Sequence, residues 1–201
     1  MTGLGACWLK QTKDFTALVG GILSIIQLDL YQLGCQALQN LSENPDLTDN
    51  PVELLCALQS WYSPFSALTV ISNRLTPFHQ DLQGWPEWFD MLIALGECLH
   101  GQLSLPGLGL VLQYNPSTIA AFSGKILQHG ATCNGNCACI VYYMRDNVLE
   151  WLKEPHISWT NIKLYMDAER DIACSAGPIC SYAMQAGAQY IFGCLEHWPN
   201  G

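Results

Sequence analysis

The sequence contains few charged residues, and basic residues are the scarcer kind. Only 12% of the 201 residues are charged, and 8 Lys and Arg stand against 17 Asp and Glu, which gives a formal net charge of −9. Proteins that bind nucleic acid usually present a basic surface, because contacts to phosphate come from Lys and Arg. The composition therefore argues against strong non-specific DNA binding by this chain alone and leaves only a small local basic patch open.

Long apolar runs are also lacking. The opening "MTGLGACWLKQTKDF" has no basic start followed directly by an apolar run, so it does not resemble a secretory signal. The apolar stretch 15–28 is too short to cross a bilayer, and Asp29 interrupts its continuation. These absences predict an intracellular protein with no membrane partner; they do not separate nucleus from cytoplasm, and the oligomeric state stays open.

Ten cysteines are present, and the expected compartment decides how they are interpreted. Thiols inside cells are mostly reduced, so we expect most of these cysteines to be small buried apolar residues. The cluster "CNGNCAC" at 133–139 lacks the paired two-residue spacing of a zinc module. The sequence therefore predicts a loop-to-strand turn there rather than a zinc site.

The pattern of apolar residues predicts strands in the middle of the chain and helices on both sides. Helical spacing appears at 15–42, 52–61, 147–154 and 160–173, and short strand-like segments at 67–74, 89–96, 101–116, 117–130 and 137–145. This order predicts an α+β fold, either an antiparallel barrel or a double-sheet jelly roll flanked by helices. We expect one domain over 1–201, with a helical lead-in (1–66), a core (67–145), and C-terminal helices and a tail (146–201).

His79, Asp81 and His129 form the candidate metal site. Alternate residues of a strand point to one face, so His79 and Asp81 would aim at the same point. Two histidines and one carboxylate bind Fe(II) in non-haem oxygenases, and His129 lies 50 residues downstream, beyond several predicted strands. The spacing leaves two interpretations equally open: a metal site, or polar residues at a strand end and in a turn.

Four segments together resemble the TET/JBP family of Fe(II)- and 2-oxoglutarate-dependent dioxygenases. They are "VISNRLTPFHQD", "WFDMLIALG", "LPGLGLVLQYNPSTIAAFSGKILQHG" and "CACIVYYMR", and the resemblance covers roughly 52–152. It implies a double-stranded β-helix (jelly-roll) core and oxidation of the methyl group of a flipped 5-methylcytosine, a step in DNA demethylation, with methylated DNA as the partner. It also implies that His79, Asp81 and His129 are the catalytic iron ligands and that Arg74 faces the 2-oxoglutarate.

Two positions depart from the family pattern. The family usually has arginine where Gln80 stands, and by alignment it has, where Cys137 stands, the arginine that binds the distal carboxylate of 2-oxoglutarate. A neutral thiol cannot form the bidentate ion pair of a guanidinium. Cys137 and Cys139 are therefore candidates either for a residual co-substrate contact or for core packing. Arg145 has the same strand parity as Cys137, but eight residues place it more than about 25 Å away.

Three functions follow from these observations. The first is a 5-methylcytosine dioxygenase, the second a jelly-roll oxygenase with a non-DNA substrate or an altered co-substrate, and the third a catalytically impaired family member that acts as a binding module. The loop "QGWPEW" at 83–88 is interpreted as loop packing, with an aromatic lid that stacks on a flipped base as the alternative. Asp90 is expected to accept a structural hydrogen bond.

Overall fold

The computed structural model describes residues 4–72, 75–97 and 99–159. Four helices come first: α1 (Leu4–Gln11), α2 (Lys13–Ile26), α3 (Leu28–Glu43) and α4 (Pro51–Leu58). Eight strands follow: β1 (Ala67–Ser72), β2 (Thr76–His79), β3 (Asp90–Gly96), β4 (Leu99–Leu105), β5 (Leu110–Gln113), β6 (Ile119–Phe122), β7 (His129–Asn134) and β8 (Cys137–Tyr143). Helix α5 (Asp146–Leu152) closes the described part of the chain.

The strands form two four-stranded antiparallel sheets. One has the order β1-β8-β3-β6 and the other the order β2-β7-β4-β5, so consecutive strands lie in opposite sheets except for β4 and β5, which pair with each other. The central strand β3 shows why its sequence, DMLIALG, is almost continuously apolar. Met91 and Ile93 belong to the core that includes the helices, whereas Leu92 and Ala94 belong to the second core that includes Leu103. Both faces of β3 are therefore buried.

Helices α2 and α3 cover the outer face of the first sheet. Their buried residues recur at helical spacing, and the hydroxyl groups of Thr16 and Tyr142 lie 2.9 Å apart, which joins α2 to β8. The side chain of Gln27, at the break between the two helices, is fully buried and donates its Nε2–H to the Glu87 carbonyl oxygen. The helical layer is thus fixed both to the sheet and to the loop before β3.

The predicted mixture of helices and antiparallel strands is confirmed, but several boundaries were wrong. The helical segment 15–42 is two helices that break at Gln27, and 101–116 is two strands separated by a 3₁₀ turn. Strand β6 occupies only 119–122 of the predicted 117–130, and His129 instead begins a new strand. The helix predicted at 160–173 and the tail lie outside the described residues. None of the described helices combines the length and the apolar character that crossing a bilayer requires.

Pro64 packs between α2 and α3 at two glycines. A Cβ at Gly20 would approach Pro64 Cδ to 3.0 Å, and a Cβ at Gly34 would collide with the Pro64 carbonyl oxygen and with Met144 Cε. A side chain at either position would therefore push the helices away from the segment that leads into β1.

We predict opposite stability effects for two alanine substitutions in these helices. Gly34→Ala should lower the free energy of unfolding by about 1–3 kcal/mol, because the added methyl group overlaps backbone that cannot move away. Gly21→Ala meets nothing within 4 Å and should raise it by about 0.5–1 kcal/mol through helix propensity. Urea denaturation measures both, and an equal gain at the two positions would contradict the packing described here.

Candidate metal centre

The two histidines face each other across a strand ladder. His79 is the last residue of β2 and His129 the first of β7; they are paired in register, and their ring centroids lie 4.2 Å apart. His129 is buried, whereas His79 is partly open to solvent. The ladder therefore brings together two residues that are far apart in sequence.

Asp81 completes the cluster from just beyond the end of β2. Its Oδ1 lies 3.8 Å from His79 Nε2, and its Oδ2 lies 3.9 Å from His129 Nε2. One candidate ligand atom from each of the three residues lies within 4.8 Å of the others, so all three could hold a single metal ion. Two imidazoles and one carboxylate are the ligand set of non-haem Fe(II) oxygenases.

Backbone carbonyl groups orient both imidazole rings. The Nδ1 of His79 lies 2.8 Å from the Pro77 oxygen, and the Nδ1 of His129 lies 2.9 Å from the Leu127 oxygen. When Nδ1–H donates to a carbonyl, Nε2 keeps its lone pair for a metal. Burial lowers the pKa of His129, which favours the neutral ring that a metal requires.

Gly124 links Asp81 to a second carboxylate. The N–H of Asp81 donates to the Gly124 oxygen at 2.9 Å, and the N–H of Gly124 donates to Asp90 Oδ2 at 3.1 Å. A Cβ at Gly124 would collide with the Asp81 carboxylate and would approach Asp90 Oδ2 to 2.7 Å. Burial, together with the nearby charge of Asp81, raises the pKa of Asp90 to about 7.

Two further hydrogen bonds join the Gly124 loop to the segment after His79. Gln80 Nε2 donates to the Ile126 oxygen at 2.7 Å, and Lys125 Nζ donates to the Leu82 oxygen at 2.5 Å. Gln80 therefore takes part in holding the loop at the position where the family usually has arginine.

A cavity of about 580 Å³ extends from the cluster between the two sheets. The three candidate ligands line it together with the apolar side chains Leu92, Ala94, Leu103, Ala131 and Val141. Arg145, Cys133, Cys137 and Cys139 also contribute to the lining. An apolar cavity next to a small cluster of polar ligands is the usual form of a small-molecule site.

Cys137 and Cys139 line the cavity away from the metal cluster. Cys137 pairs with Gly96 at the far end of β3 from Asp90, and it forms a disulfide with Cys133 across the turn between β7 and β8. Cys139 is half-buried, and its Sγ lies 3.3 Å from the Tyr114 hydroxyl; burial raises the pKa of this thiol. Their predicted contact with a co-substrate stays a prediction, and so does that of Arg74, which lies outside the described residues.

The prediction for the cysteines was only partly right. Gly135, with φ +110°, lies in the turn between β7 and β8, so the loop-to-strand turn at 133–139 is confirmed. Among the described residues, however, no cysteine is fully buried, and two of them form a disulfide rather than standing as reduced thiols. Cys7 and Cys56 are exposed because they lie on outer faces of short helices rather than in the core.

The loop 83–88 packs against the core. Trp88 is 5% exposed, and Trp85 stacks on it with ring centroids 5.6 Å apart. Trp85 also contacts the ring of His156. These contacts support loop packing over an aromatic lid, and the hydrogen bond from Gly124 gives Asp90 the structural role expected from the sequence.

Residues 8–146 match the Tet_JBP family, which is described as the oxygenase domain of the 2OGFeDO superfamily. The chain therefore belongs to this family of oxygenase domains, and the resemblance found in the sequence is confirmed. A similar solved structure is NgTET1 in complex with 5mC DNA, at 14% identity and a TM-score of 0.50. That alignment covers 82% of this chain and 59% of the NgTET1 chain. No curated protein matches the sequence.

Family membership implies Fe(II) and 2-oxoglutarate as metal and co-substrate. The donor set fits the metal, because His79, Asp81 and His129 supply two imidazoles and one carboxylate around one point. The sequence had indicated these three residues. It did not indicate Gly124, because nothing in "FSGK" shows which carboxylates this glycine will contact.

We predict that Gly124→Ala weakens metal binding about 10–100-fold, the usual effect of displacing a group that orients a metal ligand. The methyl group would push the Asp81 carboxylate away from the two imidazoles. Gly107→Ala is the matched control, since a Cβ there meets nothing within 4 Å. Calorimetric titration with Mn(II) measures both, and wild-type affinity in Gly124→Ala would refute the role given to this glycine.

We also predict that ionisation of Asp90 makes the metal-free protein less stable as pH rises. Folded Asp90 holds its proton up to about pH 7, whereas the unfolded carboxyl releases it near its ordinary value of 3.8. The proton-linked stabilisation is therefore complete below about pH 4 and is lost as pH rises through about 7, by at most about 4 kcal/mol.

Urea denaturation at pH 5, 6, 7 and 8 tests this dependence. Asp90→Asn keeps an acceptor for the Gly124 N–H but cannot ionise, so it should flatten the decline. Asp49→Asn removes an exposed carboxyl group and should leave the decline unchanged. An identical slope in Asp90→Asn and the wild type would show that another group is responsible.

Proposed function

We propose that this chain is an Fe(II)- and 2-oxoglutarate-dependent dioxygenase that hydroxylates the methyl group of 5-methylcytosine in DNA. The observation that carries the proposal is the convergence of His79, Asp81 and His129 within 4.8 Å at one end of a cavity between two sheets. The family match supports the class of reaction, and the similarity to NgTET1, which was solved with 5mC DNA, motivates the choice of substrate.

The proposal includes the architecture of the core. The strand orders β1-β8-β3-β6 and β2-β7-β4-β5 support a double-stranded β-helix, because consecutive strands lie in opposite sheets over most of the core. We assign residues 67–145 to this jelly roll and 1–201 to one domain. An intracellular location remains part of the proposal.

In the proposed reaction, His79 and His129 would bind iron through Nε2 and Asp81 through its carboxylate. Iron and 2-oxoglutarate together supply the oxidising chemistry when they are bound. The Pro77 and Leu127 carbonyl groups keep the rings aimed at the metal, and Gly124 keeps Asp81 between them. The apolar side chains of the cavity exclude water from the substrate carbon.

One observation favours the second candidate, an oxygenase with a non-DNA substrate. The chain carries a net charge of −9, and among the described residues that line the cavity only Arg145 is basic. DNA binding gains much of its affinity from phosphate contacts to Lys and Arg. A small acidic or neutral substrate would need fewer such contacts.

We predict that His79→Ala and His129→Ala each abolish metal binding and succinate formation. Each variant leaves only two of the three protein ligands, which is too few to hold the metal ion. Mn(II) titration of the wild type should show one site. His100→Asn is the matched control: this histidine is exposed and has φ 61°, a conformation that asparagine tolerates.

Mass spectrometry of 5-hydroxymethylcytosine in methylated and unmethylated duplexes tests the choice of substrate. Product from methylated DNA only, together with succinate, would support the 5-methylcytosine dioxygenase. Succinate formation with other acceptors but not with DNA would favour the non-DNA oxygenase. Metal binding without any succinate would favour the binding module.

A further inference from the structure

Arg145 is the residue directly before α5, and it lines the same cavity as the candidate metal cluster of His79, Asp81 and His129. Its backbone N–H donates to Ser66 Oγ at 2.7 Å, which fixes the start of the side chain. Its Nη1 donates to Gln83 Oε1, its Nη2 lies 3.4 Å from the Tyr143 hydroxyl, and its Cζ lies 5.4 Å from the Tyr143 ring centroid. The guanidinium group is therefore held in place by neutral groups.

The register of the strands puts Arg145 at the metal end of the cavity. Met91 pairs with Tyr142, so Asp90 lies beside the end of β8, whereas Cys137 pairs with Gly96 at the other end. Gln83, which accepts a hydrogen bond from Arg145, follows Asp81 by two residues, a separation of at most about 7 Å along the chain. Arg145 lies about 25 Å along the chain from Cys137 because Cys137 is at the other end of the cavity, and this separation does not take Arg145 away from the candidate ligands.

The charge of Arg145 is not balanced by any carboxylate among the described residues. Both ion pairs found in the described part of the chain involve Asp81 and the histidines. A guanidinium has five N–H donors, and the contacts with Gln83 and Tyr143 use two of them. Arg145 can therefore still donate two parallel hydrogen bonds to one carboxylate.

The rest of the described cavity offers no cation to a bound acid. Beyond the metal cluster the lining is mostly apolar, and its far end holds the disulfide between Cys133 and Cys137. A carboxylate buried among such groups is strongly disfavoured unless a charged group pairs with it. 2-Oxoglutarate carries two carboxylates, and only one of them adjoins the keto group, so the other would need a cation of its own in such a cavity.

We propose that Arg145 binds the carboxylate of the co-substrate that lies away from the metal, and that it selects 2-oxo acids with a second carboxylate. This inference rests on the proposed function, because it takes 2-oxoglutarate as the co-substrate. In the family alignment the arginine for this carboxylate stands where Cys137 begins β8. In this chain we assign the role to Arg145, which follows the other end of β8.

Binding to the Mn(II)-loaded protein under anaerobic conditions tests this role without turnover. The probes are 2-oxoglutarate and 2-oxopentanoate, which has the same chain length but a methyl group in place of the second carboxylate. We expect the wild type to prefer 2-oxoglutarate. Arg145→Gln should weaken 2-oxoglutarate binding about 30-fold or more and leave 2-oxopentanoate binding and Mn(II) affinity unchanged.

Three variants sharpen the comparison. Arg145→Lys keeps the charge without the planar fork and should bind 2-oxoglutarate with intermediate affinity. Lys13→Gln removes a positive charge at the exposed start of α2, outside the cavity lining, and should behave as the wild type. Arg74→Gln tests the other arginine that the family resemblance associates with the co-substrate, and we expect it to keep the preference between the two acids.

Several results would overturn the inference. One is an unchanged preference in Arg145→Gln, and another is a preference that collapses in Arg74→Gln alone. Equal loss of both acids in Arg145→Gln would indicate a structural role, and loss of DNA binding with normal 2-oxoglutarate binding would indicate a phosphate contact. A wild type that binds Mn(II) but neither acid would contradict the proposed function itself.

Discussion

The candidate site depends on the close approach of three backbone segments at Gly124. The carbonyl oxygen of Gly124 accepts a hydrogen bond from the Asp81 N–H, and its own N–H donates to the Asp90 carboxylate. Its α-carbon lies so close to the Asp81 carboxylate that a Cβ would collide with it. The segment after β2, the start of β3 and the loop after β6 meet there. The position of Asp81, the third candidate ligand, is therefore set by a glycine that is not itself a candidate ligand.

The same contacts explain why the histidines meet at this end of the cavity. Gln80 and Lys125 add hydrogen bonds between the segment after β2 and the loop that precedes β7. His79 ends the first of these strands and His129 begins the second. Fixing the loop against the segment fixes the register in which the two rings face each other.

Burial of the first sheet on both faces gives this arrangement a rigid support. Helices α2 and α3 cover the outer face, where Tyr142 bonds to Thr16 and Pro64 fits between two glycines. The inner face carries Leu92 and Ala94 into the cavity between the sheets. Local opening near the ligands would therefore have to disturb packed helices as well as strand pairing.

The sequence indicated the three residues of the candidate cluster, but it did not indicate the residues that hold them in position. Alternation and family resemblance indicated His79, Asp81 and His129, because ligand types and strand periods are local properties. Gly124 and Arg145 were not predicted as neighbours of the cluster, since their contacts join residues 34 to 62 positions apart. Arg145 was set aside because its distance was counted from Cys137 along the predicted strand 137–145. Strand β8 ends at Tyr143, and its register with β3 puts the candidate metal cluster near the Arg145 end of the cavity.

The uneven distribution of charge bears on how a substrate would be chosen. With 8 basic residues in a chain of net charge −9, attraction to phosphate would contribute little to the DNA affinity of the proposed oxygenase, and salt would weaken it further. Discrimination would then depend on the fit of a base and a co-substrate in the apolar cavity, next to one guanidinium and one metal cluster among the described lining. In the proposed oxygenase, a modified base would be selected inside the cavity after weak capture of the DNA.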